Sequence, residues 1–243
     1  MADDTIRGLP SQEDTMVRHT RLPGESADYL AAREELRDAE IDLMRHREKV
    51  AALRRALPQG AEVGDYVFLE GPADLDAGDT PVREVSLGEL FTGGPDRPLI
   101  VYHFMYGKRQ TAPCPMCTLW IDGFNGVARH VARNADLVVV AAADPATLRR
   151  HARARDWSRL RLLSAGDSTF KYDLGSEDED GAQDSTVSVF TREPDGTVRH
   201  FYSAHPRMSE DIDQRGLDLL NPVWHLLDLT PAGRGDWFAG LDY

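Results

Sequence analysis

Between Ser26 and Leu57 apolar side chains return every seven residues, at Tyr29, Leu36, Leu43, Val50 and Leu57, with Ala32, Ala39, His46 and Leu53 between them. The spacing predicts one long helix with a narrow apolar seam, stopped by Pro58 and Gly60. Residues 1–25 are polar and without periodicity, and read as an irregular arm. Beyond Gly60 the pattern shortens. Tyr66–Glu70 reads as a short strand, 71–80 as a loop and Val85–Phe91 as a compact turn. The branched and aromatic run Pro98–Tyr106 predicts a central strand. Trp120, Phe124, Val127 and Val131 then share one helical face, so a helix starts close to Cys117 and runs to about Arg133. Leu137–Ala142 predicts a second buried strand. Asp144-Pro145 caps a helix through about Ala154 that carries several arginines on its solvent side, and Leu160–Leu163 is a short strand. After an acidic loop, Ser185–Thr191 and Val198–Ser203 alternate around Pro194-Asp195-Gly196, an antiparallel hairpin signal. The segment from Gly216 to Tyr243 holds Trp224, His225, Trp237, Phe238 and Tyr243 and reads as one helix followed by an aromatic tail.

Strand, helix, strand, helix, hairpin and final helix is the order of a thioredoxin-like three-layer α/β fold. The expected organisation is therefore an arm (1–25), a long N-terminal helix (26–60) and a thioredoxin-like domain with an aromatic tail (61–243). A parallel βαβ unit places its chemistry at the carboxyl ends of its strands. That position holds Cys114-Pro115-Met116-Cys117.

Composition narrows the class. The 243 residues are 41% hydrophobic and 28% charged, with a net charge of -13 and two cysteines. A disulfide scaffold needs more cysteines, a disordered chain has fewer apolar residues, and so acidic a chain without a basic patch is no nucleic-acid binder. No stretch approaches the roughly 18 apolar residues of a membrane helix. The start Met-Ala-Asp-Asp shows neither a cationic leader nor an apolar signal core, so the expected compartment is the cytoplasm. There a CxxC pair is more often catalytic or metal-binding than a static staple. Of the 28 basic residues, lysines are Lys49, Lys108 and Lys171 alone.

A thiolate is the attacking species in disulfide exchange, and a helix N-terminus lowers a thiol's pKa through its free N–H groups and dipole. Cys114 stands where that terminus is expected. Cys117 follows one turn later to resolve a mixed disulfide, and Pro115 stiffens the loop between them. Two competing readings stay open: a pair of small core residues, or a copper or zinc site completed by His103 on the incoming strand, with His205 more remote. Thr111 lies three residues before Cys114, the spacing at which peroxiredoxins present a hydroxyl to peroxide. A peroxidase would also need an arginine beside the thiolate, for which Arg109, Arg192 and Arg199 are candidates. The acidic run 176–184 has the outline of a calcium loop, but Val187 stands where the bidentate glutamate belongs. It leads into the hairpin strand expected beside the site, so Gln183 or Asp184 is a candidate pocket residue.

Taken together, Val101-Tyr-His-Phe-Met-Tyr-Gly107, the stretch from Cys114 through Asp122-Gly123-Phe124-Asn125 to Gly126, Ser188-Val-Phe-Thr-Arg192 and His225-Leu-Leu-Asp-Leu-Thr-Pro-Ala-Gly-Arg234 resemble the bacterial domain-of-unknown-function family numbered 899. That family is regarded as thioredoxin-like and labelled a dithiol-disulfide oxidoreductase. The resemblance implies dithiol chemistry; the strand-CxxC-helix context leads to the expectation that Cys114 attacks and Cys117 resolves with no bound organic cofactor or resident metal. Two features depart from ordinary thioredoxins. Asp184-Ser185-Thr186 replaces the cis-proline before the facing strand, and Trp120 follows the cysteine pair instead of preceding it. The missing proline favours a peroxiredoxin-like or specialised reductase geometry over a general protein disulfide reductase. The expected function is a cytoplasmic thiol-disulfide oxidoreductase acting on a thiol, disulfide or peroxide with an external electron donor, as a homodimer away from membranes and nucleic acid. The alternative is a metal-binding or partner-binding module on the same scaffold.

Overall fold

The computed structural model describes residues 20–94, 97–210 and 220–242. The chain divides into two compact units, Met1–Ala56 and Leu57–Tyr243. The first is built on α1 (Ala27–Arg55), which Ser26 caps by accepting the Tyr29 N–H at 3.1 Å. Ion pairs Arg33–Glu25, Arg37–Glu34 and Arg45–Asp42 run along it. Taken alone, α1 leaves Tyr29, Leu36 and Leu43 of its seam exposed. Most of the expected arm, residues 1–19, lies outside the described residues.

The second unit is a seven-stranded sheet of order β2-β1-β5-β4-β3-β6-β7. Its strands are β1 (Val67–Glu70), β2 (Arg83–Ser86), β3 (Leu99–Phe104), β4 (Asp136–Ala141), β5 (Arg161–Ser164), β6 (Thr186–Arg192) and β7 (Val198–Ala204). The middle strands β5, β4 and β3 are parallel. β6 runs antiparallel to β3, and β7 to β6. Helices α2 (Pro115–Val131) and α3 (Pro145–Ala154) make the crossovers, α4 (Phe170–Asp173) follows β5, and α5 (Pro222–Asp228) follows the hairpin. This is the thioredoxin-like α/β fold.

The period of two along each strand separates two cores. Tyr102 and Phe104 of β3 and Val139 and Ala141 of β4 meet Cys117, Trp120 and Ile121 of α2, Leu148 of α3 and Trp224 of α5. Leu99, Val101, Val138 and Val140 face the other way, onto Phe68, Leu87, Leu90 and Phe170. β4 is buried on both faces, so its sequence is nearly all apolar.

Several expectations need correction. The segment Val85–Phe91, read as a turn, opens on the last two residues of β2, a strand of which Val85 alone is buried; Arg83 reaches across to Glu70 at 2.6 Å, so charge hides a paired strand. The loop before the hairpin contains α4, whose Phe170 and Lys171 are buried. The arginines of α3 do not all face solvent. Arg149 is buried and donates to the carbonyls of Pro72, Asp74, Leu75 and Gly78, because the 71–80 loop turns these inward and needs a donor fork. In the closing segment, residues 216–219 and Tyr243 lie outside the described residues.

Candidate active site

β3 delivers the chain to the cysteines through a turn at Gly107. Its φ is +104°, and a Cβ there would lie 2.1 Å from the Ala143 nitrogen, so glycine is required. Gly107 and Gln110 exchange backbone hydrogen bonds of 2.7 and 2.9 Å, which close the turn. The chain then enters α2 with Pro115 in its first turn and Cys114 as N-cap. The Cys114 sulfur accepts the Cys117 N–H at 3.5 Å. The Cys114 carbonyl accepts the N–H and the hydroxyl of Thr118, both at 3.0 Å. That hydroxyl also meets His151 Nε2 of α3 at 3.2 Å, so α3 steadies the first turn of α2.

Both cysteines are free thiols, Cys114 half-buried and Cys117 buried. A hydrogen bond from the Cys117 thiol, reinforced by the N–H groups of Cys117 and Met116, draws the Cys114 pKa down to about 6, against burial and the Asp184 carboxylate. Burial first, and the Cys114 sulfur second, push Cys117 well above the usual thiol value. The Met105 N–H faces the Cys117 sulfur, and the buried Tyr102 hydroxyl has no hydrogen-bond partner among the described residues. At neutral pH the arrangement holds one thiolate on the outer sulfur and one proton on the inner. Lys171 is also buried. Desolvation lowers its amine to about 8, although the Cys117 sulfur and the Glu177 carboxylate favour the ammonium.

Cys114 opens into a cavity of about 190 Å³. Met105, Met116, Trp120 and Phe238 form its apolar walls, and Asp184, Ser185 and Arg207 its polar rim. Of the residues singled out from sequence, Cys114, Trp120 and Asp184 therefore come together, with Cys117 and Pro115 in the first turn beneath. Gln183 does not join them; its amide is bonded to Glu177 at 2.7 Å. Thr111 is exposed and outside the cavity lining. His103 is on the opposite face of the sheet, stacked on Phe170, with Nδ1 2.7 Å from Ser176 Oγ and Nε2 3.0 Å from Ser188 Oγ. Both ring nitrogens are engaged, which removes it as a third metal ligand. His205 Nδ1 is 3.1 Å from the Thr186 hydroxyl. Among the described residues no three His, Cys, Asp or Glu side chains gather to hold a metal ion.

The candidate arginines are elsewhere. Arg109 is 3.7 Å from Asp180, Arg192 stacks on Phe91, and Arg199 pairs with Glu193 at 3.1 Å. The arginine on the cavity rim is Arg207, beyond the end of β7. Its place follows the hairpin, in a stretch without local signal. His151 and Lys171 carry no local sequence signal either, since their positions depend on contacts distant in sequence.

The bacterial protein family of unknown function DUF899 matches residues 19–242. The chain belongs to that family. No curated protein matches it. Among solved structures, this DUF899 chain is similar to reduced Prx3 in complex with H2O2 from Vibrio vulnificus, at 15% identity and TM-score 0.45 over 68% of this chain and 99% of that one. It is similar to Mycobacterium bovis AhpC at 18% identity and TM-score 0.43 over 75% and 98% of the two chains. A peroxiredoxin-like protein from Aquifex aeolicus matches at 16% identity and TM-score 0.42, over 61% and 76%.

Within the DUF899 chain, Asp122-Gly123-Phe124-Asn125 is a packing joint rather than a part of the cavity. Asp122 accepts Trp157 Nε1 at 2.8 Å and pairs with Arg155 at 2.5 Å. Asn125 bonds the Asp156 carbonyl at 2.9 Å and the Arg159 N–H at 3.0 Å. A Cβ on Gly123 would press on the Asn221 amide, which caps α5 and donates to the Leu119 carbonyl at 2.9 Å. The motif thus locks α2 to the end of α3 and to α5. No helix among the described residues is long and apolar enough to cross a membrane.

Proposed function

We propose that this protein is a thiol-disulfide oxidoreductase in which Cys114 attacks and Cys117 resolves. The observation that carries the reading is the division between the two sulfurs: an outer one that caps a helix and is drawn down to about 6, and an inner one buried a turn away and pushed up. The Cys114 thiolate attacks a substrate disulfide and forms a mixed disulfide. Cys117 displaces the second half of the substrate, and an external dithiol donor returns the pair to the reduced state. The apolar cavity walls suit a small disulfide or an apolar side chain beside one.

Limiting iodoacetamide at neutral pH should label Cys114 first. Equal, slow labelling of both sulfurs would overturn the mechanism, as would stoichiometric zinc or copper in protein purified under reducing conditions.

Peroxide reduction is a second reading of the same site, favoured by Arg207 on the cavity rim. The exposed Thr111 gives it no support. Stopped-flow consumption of peroxide by the reduced protein, compared with Cys114→Ser, separates it from disulfide exchange. The reading places the protein in the cytoplasm, where such a pair turns over, and makes it a homodimer through the seam of α1. Deletion of residues 1–57 should then give a monomer or an insoluble product, and an unchanged dimer would count against it.

A further inference from the structure

Lys171 of α4 is 1% exposed. A buried ammonium without a carboxylate partner is costly and asks for a function. Its Nζ makes one hydrogen bond, 3.4 Å to the Phe104 carbonyl. Glu177, one of the acids that face it, is already paired with Lys108 and bonded to Gln183. The Phe104 carbonyl belongs to the same peptide group as the Met105 N–H, and that N–H faces the Cys117 sulfur. In a trans peptide the two point in opposite directions, so the peptide group lies between the cation and the sulfur.

We propose that Lys171 is the positioning residue of the resolving step: its ammonium polarises the Phe104–Met105 peptide and so stabilises the Cys117 thiolate on the other side. This rests on the dithiol reading above. In the step itself Cys117 gives up its thiol proton, and its sulfur attacks Cys114 Sγ in the mixed disulfide. The Cys114 bond to the substrate sulfur breaks, and the electron pair leaves on that sulfur, which takes the proton. The product is the Cys114–Cys117 disulfide and a free substrate thiol, with the substrate disulfide as oxidant. The helix N–H groups serve the outer sulfur, so the inner one needs a separate source of positive charge. The charged and titratable groups that face this centre are Cys114 and Cys117 from α2, Tyr102 and His103 from β3, Lys108 after β3, and Glu177 and Asp184 after α4.

The test uses the full chain, reduced and mixed with one equivalent of dithiobis(nitrobenzoate). Attack by Cys114 releases one thionitrobenzoate, and resolution by Cys117 releases the second. Lys171→Met should leave the first release intact, slow the second about 10-fold or more at pH 7 and move its inflection up by about one pH unit. Lys171→Arg, which keeps the cation, should recover part of the rate. A second release with unchanged rate and inflection in Lys171→Met would overturn the proposal.

If Lys171→Met fails to fold, the wild-type chain still decides. It has three lysines, so 13C-lysine NMR can follow Lys171 by itself. Its inflection should lie lower in the oxidised protein, where neither sulfur can carry a charge, than in the reduced wild type. Identical inflections in the two states would overturn the proposal. Release of both equivalents by Cys117→Ser would instead sink the dithiol reading itself.

Discussion

Replacing Lys171 by methionine should make the folded protein more stable while it slows resolution. Burial lowers the amine from its usual 10.5 to about 8. Each pH unit of that shift is about 1.4 kcal/mol, so holding the ammonium in the core costs about 3 kcal/mol below pH 8. An unfolded lysine keeps its proton up to about pH 10.5, whereas the folded one gives it up near 8. Between those values the unfolded state binds more protons, and wild-type stability rises with pH. Methionine has no proton to lose. Its advantage is therefore about 3 kcal/mol at pH 7 and falls to about 1 kcal/mol near pH 9.5. The substitution leaves no carbonyl without a partner, because Phe104 also accepts the Tyr106 N–H at 2.9 Å. Urea unfolding of both reduced proteins at pH 7 and 9.5 measures the difference. A variant less stable than wild type at pH 7, or equally favoured at both pH values, would refute the reasoning.

Three further outcomes follow from the site and its supports. The alkylation rate of Cys114 should rise with an inflection near pH 6 and level off by about pH 7.5, with Cys117 unmodified by mass spectrometry; an inflection above 8 contradicts the helix-cap argument. Asp184→Asn removes a charge that opposes the Cys114 thiolate, so its alkylation inflection should move to lower pH, and an upward move would show that the carboxylate helps the thiolate. Asp122→Ala takes away the acceptor of the buried Trp157 indole N–H and a carboxylate of Arg155. It should cost about 2–3 kcal/mol in urea unfolding, and a loss under about 0.5 kcal/mol would deny the motif its joining role.

The elements legible in the sequence are those whose burial is written locally. β4 is apolar on both faces, the hairpin β6–β7 alternates around a turn, and α3 announces itself with Asp144-Pro145. β2 and α4 hide because their partners lie elsewhere in the chain: Arg83 looks solvated until Glu70 is beside it, and Lys171 looks like a loop lysine until the sheet is assembled. The cysteine pair was legible from its place between a strand and a helix. His103 is near the cysteines in sequence and not in space. Tyr102 and Phe104 point toward α2, so a period of two already sends the residue between them to the opposite face.

The same geometry explains why the two sulfurs cannot be treated alike. One helix terminus offers a limited set of N–H groups, and the N-cap takes those of Met116 and Cys117 for the outer sulfur. Cys117 is already inside the helix, against Tyr102 and fully buried, where desolvation works against its thiolate. What makes Cys114 a good nucleophile at neutral pH therefore makes Cys117 a poor one. A pair of this geometry resolves quickly only if a second positive centre reaches the inner sulfur, and the chain delivers it from the far side of the sheet through the Phe104–Met105 peptide. A reactive outer thiol is legible in four residues of sequence; the charge that completes the cycle depends on a residue more than fifty positions away.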